Sequence, residues 1–261
     1  MNHPIQVNIP YSMLLKNLDF ILERKINPEI YFDGEAIDTF NENDAHSILR
    51  ALSTEKLSIT IHAPFMDLSP GAVDTKIRKA TSERLYEMLH IAALFQPRLV
   101  VLHPGYNKWF FDGNVTLWLE NSLTVWQPVV KTAEKLGIAL AVENIFEEEP
   151  SSLSRLITAV NSPAFNFCFD TGHFHLFSTV AMEAWFTSLS PYIKEVHVHD
   201  NCKTSDDHLP MGDGDIDFGL FFRLIKRYGV NPIYTIEPHK VDDLERSLEM
   251  CNRYLTHKEG R

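Results

Sequence analysis

The chain has 261 residues, 44% of them hydrophobic and 23% charged, which suits a globular protein with a sizeable core and argues against a disordered or fibrous chain. Twenty-four basic residues face 35 acidic ones, a formal charge of −11, so a broad polyanion-binding face is not expected. Three cysteines without a C-x-x-C pair exclude a disulfide framework and point to a reducing cytoplasm; no signal peptide or membrane span is expected.

In chain order, short runs rich in β-branched and aromatic residues alternate with longer segments of helical periodicity. A first strand is expected over Ile5–Ile9, followed by a helix over Ser12–Lys25, then a strand over Glu29–Phe32. A third strand, Ser58–Ile61, precedes a helix over Thr75–Phe95, and a fourth, Leu99–Leu102, precedes a helix over Val115–Leu136. Further strands follow at Ala139–Val142, Phe165–Phe169, Glu195–His199 and Ile233–Ile236. Helices are expected over Phe218–Tyr228 and Leu244–Leu255, the last with Leu244, Leu248, Cys251 and Leu255 on one stripe. Strand–helix alternation implies a parallel sheet covered by helices. Eight such units in one chain of this length predict a single-domain (β/α)8 barrel over residues 1–261. An open doubly wound sheet usually carries a glycine-rich turn after its first strand; here that turn reads NIPYSM, without glycine.

In such a barrel the reactive groups sit where strands run into the following loops. Strand three delivers His62, strand four His103, strand five Glu143, strand six Asp170 and His173, strand seven His197 and His199, and strand eight Glu237. The loop after strand seven adds Asp206 and His208, within a stretch of 22 residues holding three histidines and six aspartates. Any one of these histidines has an ordinary reading as a hydrogen-bonded rim residue, and Asp207, Asp215 and Asp217 read as a solvated loop. His197 and His199 share a strand face, and only one of them need bind metal. The set as a whole needs cations, because buried carboxylates gathered together repel one another and lose hydration. Mixed imidazole and carboxylate donors suit zinc, manganese, iron or cobalt.

The segments HAPF, HPG, ENIF, DTGH, HVHDN with DDHLPMGDGDIDF, and EPH together resemble the xylose-isomerase-like barrel superfamily, from about His62 to Glu237. That superfamily holds sugar-phosphate isomerases and epimerases, and the endonuclease IV class of abasic-site endonucleases. The isomerase branch implies one divalent ion held by Glu143, Asp170, His197 and Glu237. Glu143 and Glu237 would then carry protons to and from a carbon beside a carbonyl, and His173 would orient a substrate hydroxyl. The endonuclease branch implies three zinc ions on His62, His103, Glu143, Asp170, His173, His197, Asp206, His208 and Glu237, all of matching type. The cofactor expected is thus a divalent metal, one to three ions per chain.

The loops favour the first branch. Gripping duplex phosphates needs basic side chains on several strand-end loops. These loops are instead aromatic and acidic, with isolated Lys16 and Lys108, and Glu147, Glu148 and Glu149 after strand five would repel a phosphate backbone. Tyr11, Phe65, Tyr106 and Trp109 are candidates to cover the apolar face of a small polyol, with Lys108 as a candidate cation for a phosphorylated one. Phe110 and Phe111 cannot both face a pocket if that segment is extended. The expectation is a cytoplasmic, metal-dependent sugar or sugar-phosphate isomerase or epimerase, with no nucleic-acid or membrane partner. Its alternative is a multinuclear zinc phosphoester hydrolase of the abasic-site endonuclease type. A third reading is a barrel that binds a ligand without turnover.

Overall fold

A computed structural model describes residues 5–256. Eight parallel strands close into a barrel in sequence order. They are β1 (Ile5–Pro10), β2 (Asn27–Tyr31), β3 (Thr60–His62), β4 (Val100–Leu102), β5 (Leu140–Glu143), β6 (Phe165–Asp170), β7 (Ile193–Val198) and β8 (Ile233–Ile236). The ring closes where Ile5, Gln6 and Val7 of β1 pair with Tyr234, Thr235 and Ile236 of β8. The expected (β/α)8 barrel is therefore the observed fold.

The long helices begin and end where local chemistry dictates. Thr75–Phe95 starts at Asp74, whose carboxylate accepts the Lys76 N–H, and stops at Gln96 in the left-handed region. Val115–Leu136 starts at Asn114, which accepts the Leu117 N–H, and ends at Gly137 with φ of 71°. The segment expected as one helix over Ser12–Lys25 is broken: Tyr11–Leu14 and Leu18–Arg24 flank a 3-10 turn at Leu15–Asn17. Its apolar spacing continues through the break, so periodicity alone does not expose it. Shorter helices at Gly34–Asp38, Glu42–Thr54, Ser151–Val160, Thr171–Phe177, Met182–Leu189, Phe218–Arg227 and Leu244–Thr256 complete the outer layer.

The apolar core lies between strands and helices, with Trp118, Trp126, Trp185, Phe165, Phe167 and Phe169 fully buried. The barrel interior is different. Gln6, Glu29, Thr60, Glu195, His197 and Thr235 are all buried there. Asn8 Nδ2 donates to Glu29 Oε1 at 2.8 Å, Thr60 Oγ1 donates to Gln6 Oε1 at 3.0 Å, and the Thr235 hydroxyl donates to Glu195. Burial, reinforced by the charge of Glu29, pushes the Glu195 carboxyl well above its ordinary range. Burial also opposes ionisation of Glu29, yet His197, His62 and Asn8 hold that carboxylate below its usual value. The two carboxyls are thus pushed in opposite directions, beneath the mouth.

Candidate functional site

The C-terminal ends of the strands bring the nine expected donors together. His62 Nε2 lies 3.2 Å from Glu143 Oε2, and His103 Nε2 lies 3.4 Å from the same oxygen. His173 Nδ1 is 3.1 Å from Glu143 Oε1, and its Nε2 is 3.3 Å from Asp206 Oδ2. His197 Nδ1 stands 3.4 Å from both Glu143 Oε1 and Glu237 Oε1. His208 Nε2 faces Asp206 Oδ2 at 3.2 Å.

Several imidazoles are oriented by the backbone. His62 Nδ1 donates to the Ala63 carbonyl at 2.9 Å, His173 Nδ1 to the Asn144 carbonyl at 3.1 Å, and His208 Nδ1 to the Glu237 carbonyl at 2.9 Å. A carbonyl can only accept, so each Nδ1 carries a proton, and Nε2 is the nitrogen that faces the carboxylates and would bind a cation once its own proton is shed. This is the arrangement that fixes tautomer and ring direction in metal-ligating histidines. The buried Nδ1 atoms of His197 and His199 have no hydrogen-bond partner, although each points among carboxylates. Donor type, ring orientation and unpartnered nitrogens all fit divalent cations. The triads His62–Glu143–His197, Asp170–His173–His199, His199–His208–Glu237 and Asp170–His197–Glu237 each bring one atom per residue close enough to share an ion.

Electrostatics follow from this crowding. Burial alone would raise Glu143, but the attraction of His197 and the close approach of the His103 and His173 imidazoles hold it well below the usual carboxylate range. Burial opposes charge on His173 and His197 too, yet their carboxylate neighbours raise both well above the ordinary imidazole value. His62 and His208 shift up for the same reason. His103 goes the other way, lowered by burial to about 4.

The structure adds residues that the expected donor set left out. His199 lies 3.0 Å from Asp170 Oδ2 through Nε2 and joins two of the triads, so both histidines of the HVH segment reach the cluster. It stacks face to face on His208 at 3.8 Å, and His208 stacks in turn on His239 at 3.6 Å. Gly172 admits this ring, because a Cβ there would collide with the His199 imidazole. The shared face of His197 and His199 was the available signal for this residue. Glu29, whose Oε2 lies 3.4 Å from His197 Nε2, sits in mid-strand and gave none.

Above the cluster opens a cavity of about 1100 Å³. Phe65 and Tyr106 line it, Phe65 stacking on His103 at 4.2 Å. Tyr11, Lys108 and Trp109 are not among its lining residues. Tyr11 begins a helix immediately after β1 and stacks on Phe32 at 4.6 Å in the outer core. Lys108 pairs with Glu148 at 2.8 Å, and Trp109 projects into solvent at 82% exposure. Phe110 lines the cavity while Phe111 is buried, an opposition made by a turn rather than an extended segment. The acidic run after β5 is not an exposed patch. Glu147 is buried and accepts the Ile145 N–H, Glu148 takes Lys108, and Glu149 accepts the Ser151 N–H at the start of a helix.

A closed (β/α)8 barrel here gathers imidazoles and carboxylates at its C-terminal mouth, the end where enzymes of this architecture carry their reactive groups. The chain belongs to the xylose isomerase-like TIM barrel family, which it matches over residues 29–254. It is 30% identical over 210 residues to the uncharacterized protein MJ1311 of Methanocaldococcus jannaschii, covering 77% of this chain and 71% of that one. It is similar to a crystal structure of a D-tagatose 3-epimerase-like protein, with a TM-score of 0.83, 26% identity and 97% of each chain covered. The TTHB071 protein from Thermus thermophilus, soaked with zinc chloride, superposes with a TM-score of 0.78 at 22% identity over 99% of each chain. A D-psicose 3-epimerase from Clostridium cellulolyticum H10, solved with D-tagatose, gives 0.74 at 12% identity, covering 95% of this chain and 91% of that one, a likeness of fold. No helix among the described residues is long and apolar enough to cross a membrane.

Proposed function

We propose that the protein is a divalent-metal-dependent sugar isomerase or epimerase that moves a proton at a carbon beside a carbonyl. The observation that carries this reading is the placing of two carboxylates, Glu143 from β5 and Glu237 from β8, each 3.4 Å from the same nitrogen of His197 at the cavity floor. Glu143, Asp170, His197 and Glu237 would hold an ion of zinc, manganese, iron or cobalt, which supplies Lewis-acid polarisation of a substrate carbonyl.

The chain's own groups do the rest. Glu143 is held ionised by the surrounding histidines, so it is ready to take a proton from carbon. Glu237, partly exposed at the cavity floor, delivers a proton from the other side of the carbon chain. His173 lines the cavity beside Glu143 and orients a hydroxyl next to the reacting carbons. The protein would work in the cytoplasm on a small sugar.

One observation favours multinuclear phosphoester hydrolysis as a second reading: the full set of nine donors converges, with overlapping triads. The cavity counts against it, since Lys240 is the sole lysine or arginine among its described lining residues. The test is solvent exchange in deuterium oxide, with protein loaded in turn with each metal and offered a panel of ketoses. Deuterium is expected beside the carbonyl, and Glu143→Gln and Glu237→Gln should each slow exchange by roughly 10²–10⁴-fold. Absence of exchange in every ketose would overturn the isomerase reading. Nicking of an abasic-site duplex at catalytic protein levels would put hydrolysis in its place.

A further inference from the structure

The cavity is larger than its floor requires. At about 1100 Å³ it stands at the upper end of ligand pockets, which run roughly 300–1,000 Å³ for drug-sized ligands, and a single monosaccharide is smaller than those ligands. Its chemistry also changes with height. The floor is His62, His103, Glu143, His173, His208 and Glu237, all polar and converging. The upper wall is Met13 and Phe20 from the segment after β1, Met66 after β3, Phe110 after β4, Phe146 after β5 and Phe177 after β6.

Most of these wall side chains stand in the open. Met66 is 70% exposed and Phe110 85%, and Met13, Phe20 and Phe146 are also among the exposed large hydrophobics. Isolated exposed apolar residues are ordinary on any protein surface. Here several separate loops send them to one opening, and Phe146 leans edge-on against Phe177 with ring centroids 5.1 Å apart. The wall has little for a phosphate: Lys240 is the single lysine or arginine among the described residues lining the cavity, and Lys108 is committed to Glu148.

We propose that the cavity takes a glycoside whose sugar ring carries an oxo group, the carbonyl that the proton transfer requires, with the sugar on the polar floor and an apolar, preferably aromatic, aglycone against this wall; simple glycosides, which lack that carbonyl, then serve as unreactive binding probes. The proposal rests on the sugar isomerase or epimerase reading and names its substrate class. The wall lines the same cavity as the reacting floor and surrounds its opening. An occupant must therefore enter that cavity, and a sugar that reaches the floor carries its aglycone past the wall.

The test is calorimetric titration of the metal-loaded protein with matched methyl and phenyl β-glycosides of D-glucose, D-galactose and D-mannose. Burying a phenyl ring is worth roughly a ten- to hundredfold gain in affinity. In at least one pair the phenyl member should bind about tenfold tighter or better. Met66→Asp and Phe110→Asp, at exposed positions that leave the fold and floor untouched, should erase most of that gain and leave methyl-glycoside affinity unchanged. Equal affinities in every pair, including no binding by either member, would overturn the proposal. So would a phenyl preference that both variants retain, or sedimentation showing a dimer that these variants dissociate. Combining this result with the exchange assay separates the two readings. Exchange in free ketoses with no phenyl preference removes the aglycone site and keeps the isomerase. A phenyl preference lost in the variants, without exchange in any sugar, does the reverse.

Discussion

Asp200 holds the loop that carries Asp206 and His208, and its replacement by Asn should loosen that loop without unfolding the barrel. The carboxylate is fully buried and accepts four backbone N–H groups. Oδ1 takes Asn201 at 2.9 Å and Ile216 at 3.1 Å; Oδ2 takes Gly212 at 2.9 Å and Gly214 at 3.0 Å. The Asp200 backbone also pairs both ways with Leu209. Asn has the same shape but keeps one acceptor oxygen and turns an NH₂ toward two donors. A buried donor left unpaired costs about 1–3 kcal/mol. The two glycine amides are only part-buried, so the lower figure applies to each, about 2 kcal/mol together. That is roughly a 30-fold rise in the local opening constant. Hydrogen exchange at Gly212 and Gly214 in Asp200→Asn should accelerate by about that factor, while amides of β4 and β5 keep their protection. Unchanged exchange at the two glycines would refute the carboxylate's role as the loop's anchor.

Gly172→Ala should strike His199, since the added Cβ meets the imidazole's Cε1, Nδ1 and Nε2. Overpacking of this kind costs about 1–3 kcal/mol, and truncating the ring in Gly172→Ala/His199→Ala should recover part of it, as a thermal-denaturation double-mutant cycle would show; strictly additive effects would contradict the contact. Glu147→Gln should flatten the dependence of stability on pH. Burial raises the Glu147 carboxyl from 4.5 to about 7, outweighing its backbone hydrogen bonds, so the folded chain holds a proton the unfolded chain releases. Its contribution is complete below pH 4.5 and lost as pH climbs through about 7, a total of about 3 kcal/mol. Urea midpoints from pH 4 to 8 should therefore fall in the wild type relative to the Gln variant, and a constant offset between the two would show the shift is absent.

The barrel was legible because its strands are short runs rich in β-branched and aromatic residues and its long helices keep apolar residues at helical spacing. The convergence of the nine expected residues was legible because each ends a strand or sits in the loop just beyond one, and a closed parallel barrel puts all strand ends on one rim. What stayed hidden depends on rotation and long-range pairing. Tyr11 follows β1 as an aromatic facing the mouth would, but the helix starts at once and turns its ring onto Phe32. Lys108 and Glu148 lie on different loops, and no local spacing announces their pairing. Glu29 and Glu195 sit inside runs that otherwise read as buried strands. Only barrel closure brings them to the same depth, with His197 above.

The charge state of the mouth follows from these placements. Glu143, Asp170 and Asp206 are all held below their ordinary values against the opposing effect of burial, and the groups that hold them are histidines. His62, His173, His197 and His208 rise correspondingly, so in the ligand-free chain the carboxylates favour a proton on each of these imidazoles. An imidazole must lose that proton before its nitrogen can bind a metal, and uptake is then an exchange of protons for metal charge. His103 is the exception, already neutral because burial outweighs Glu143. It can donate to a cation with no proton to shed.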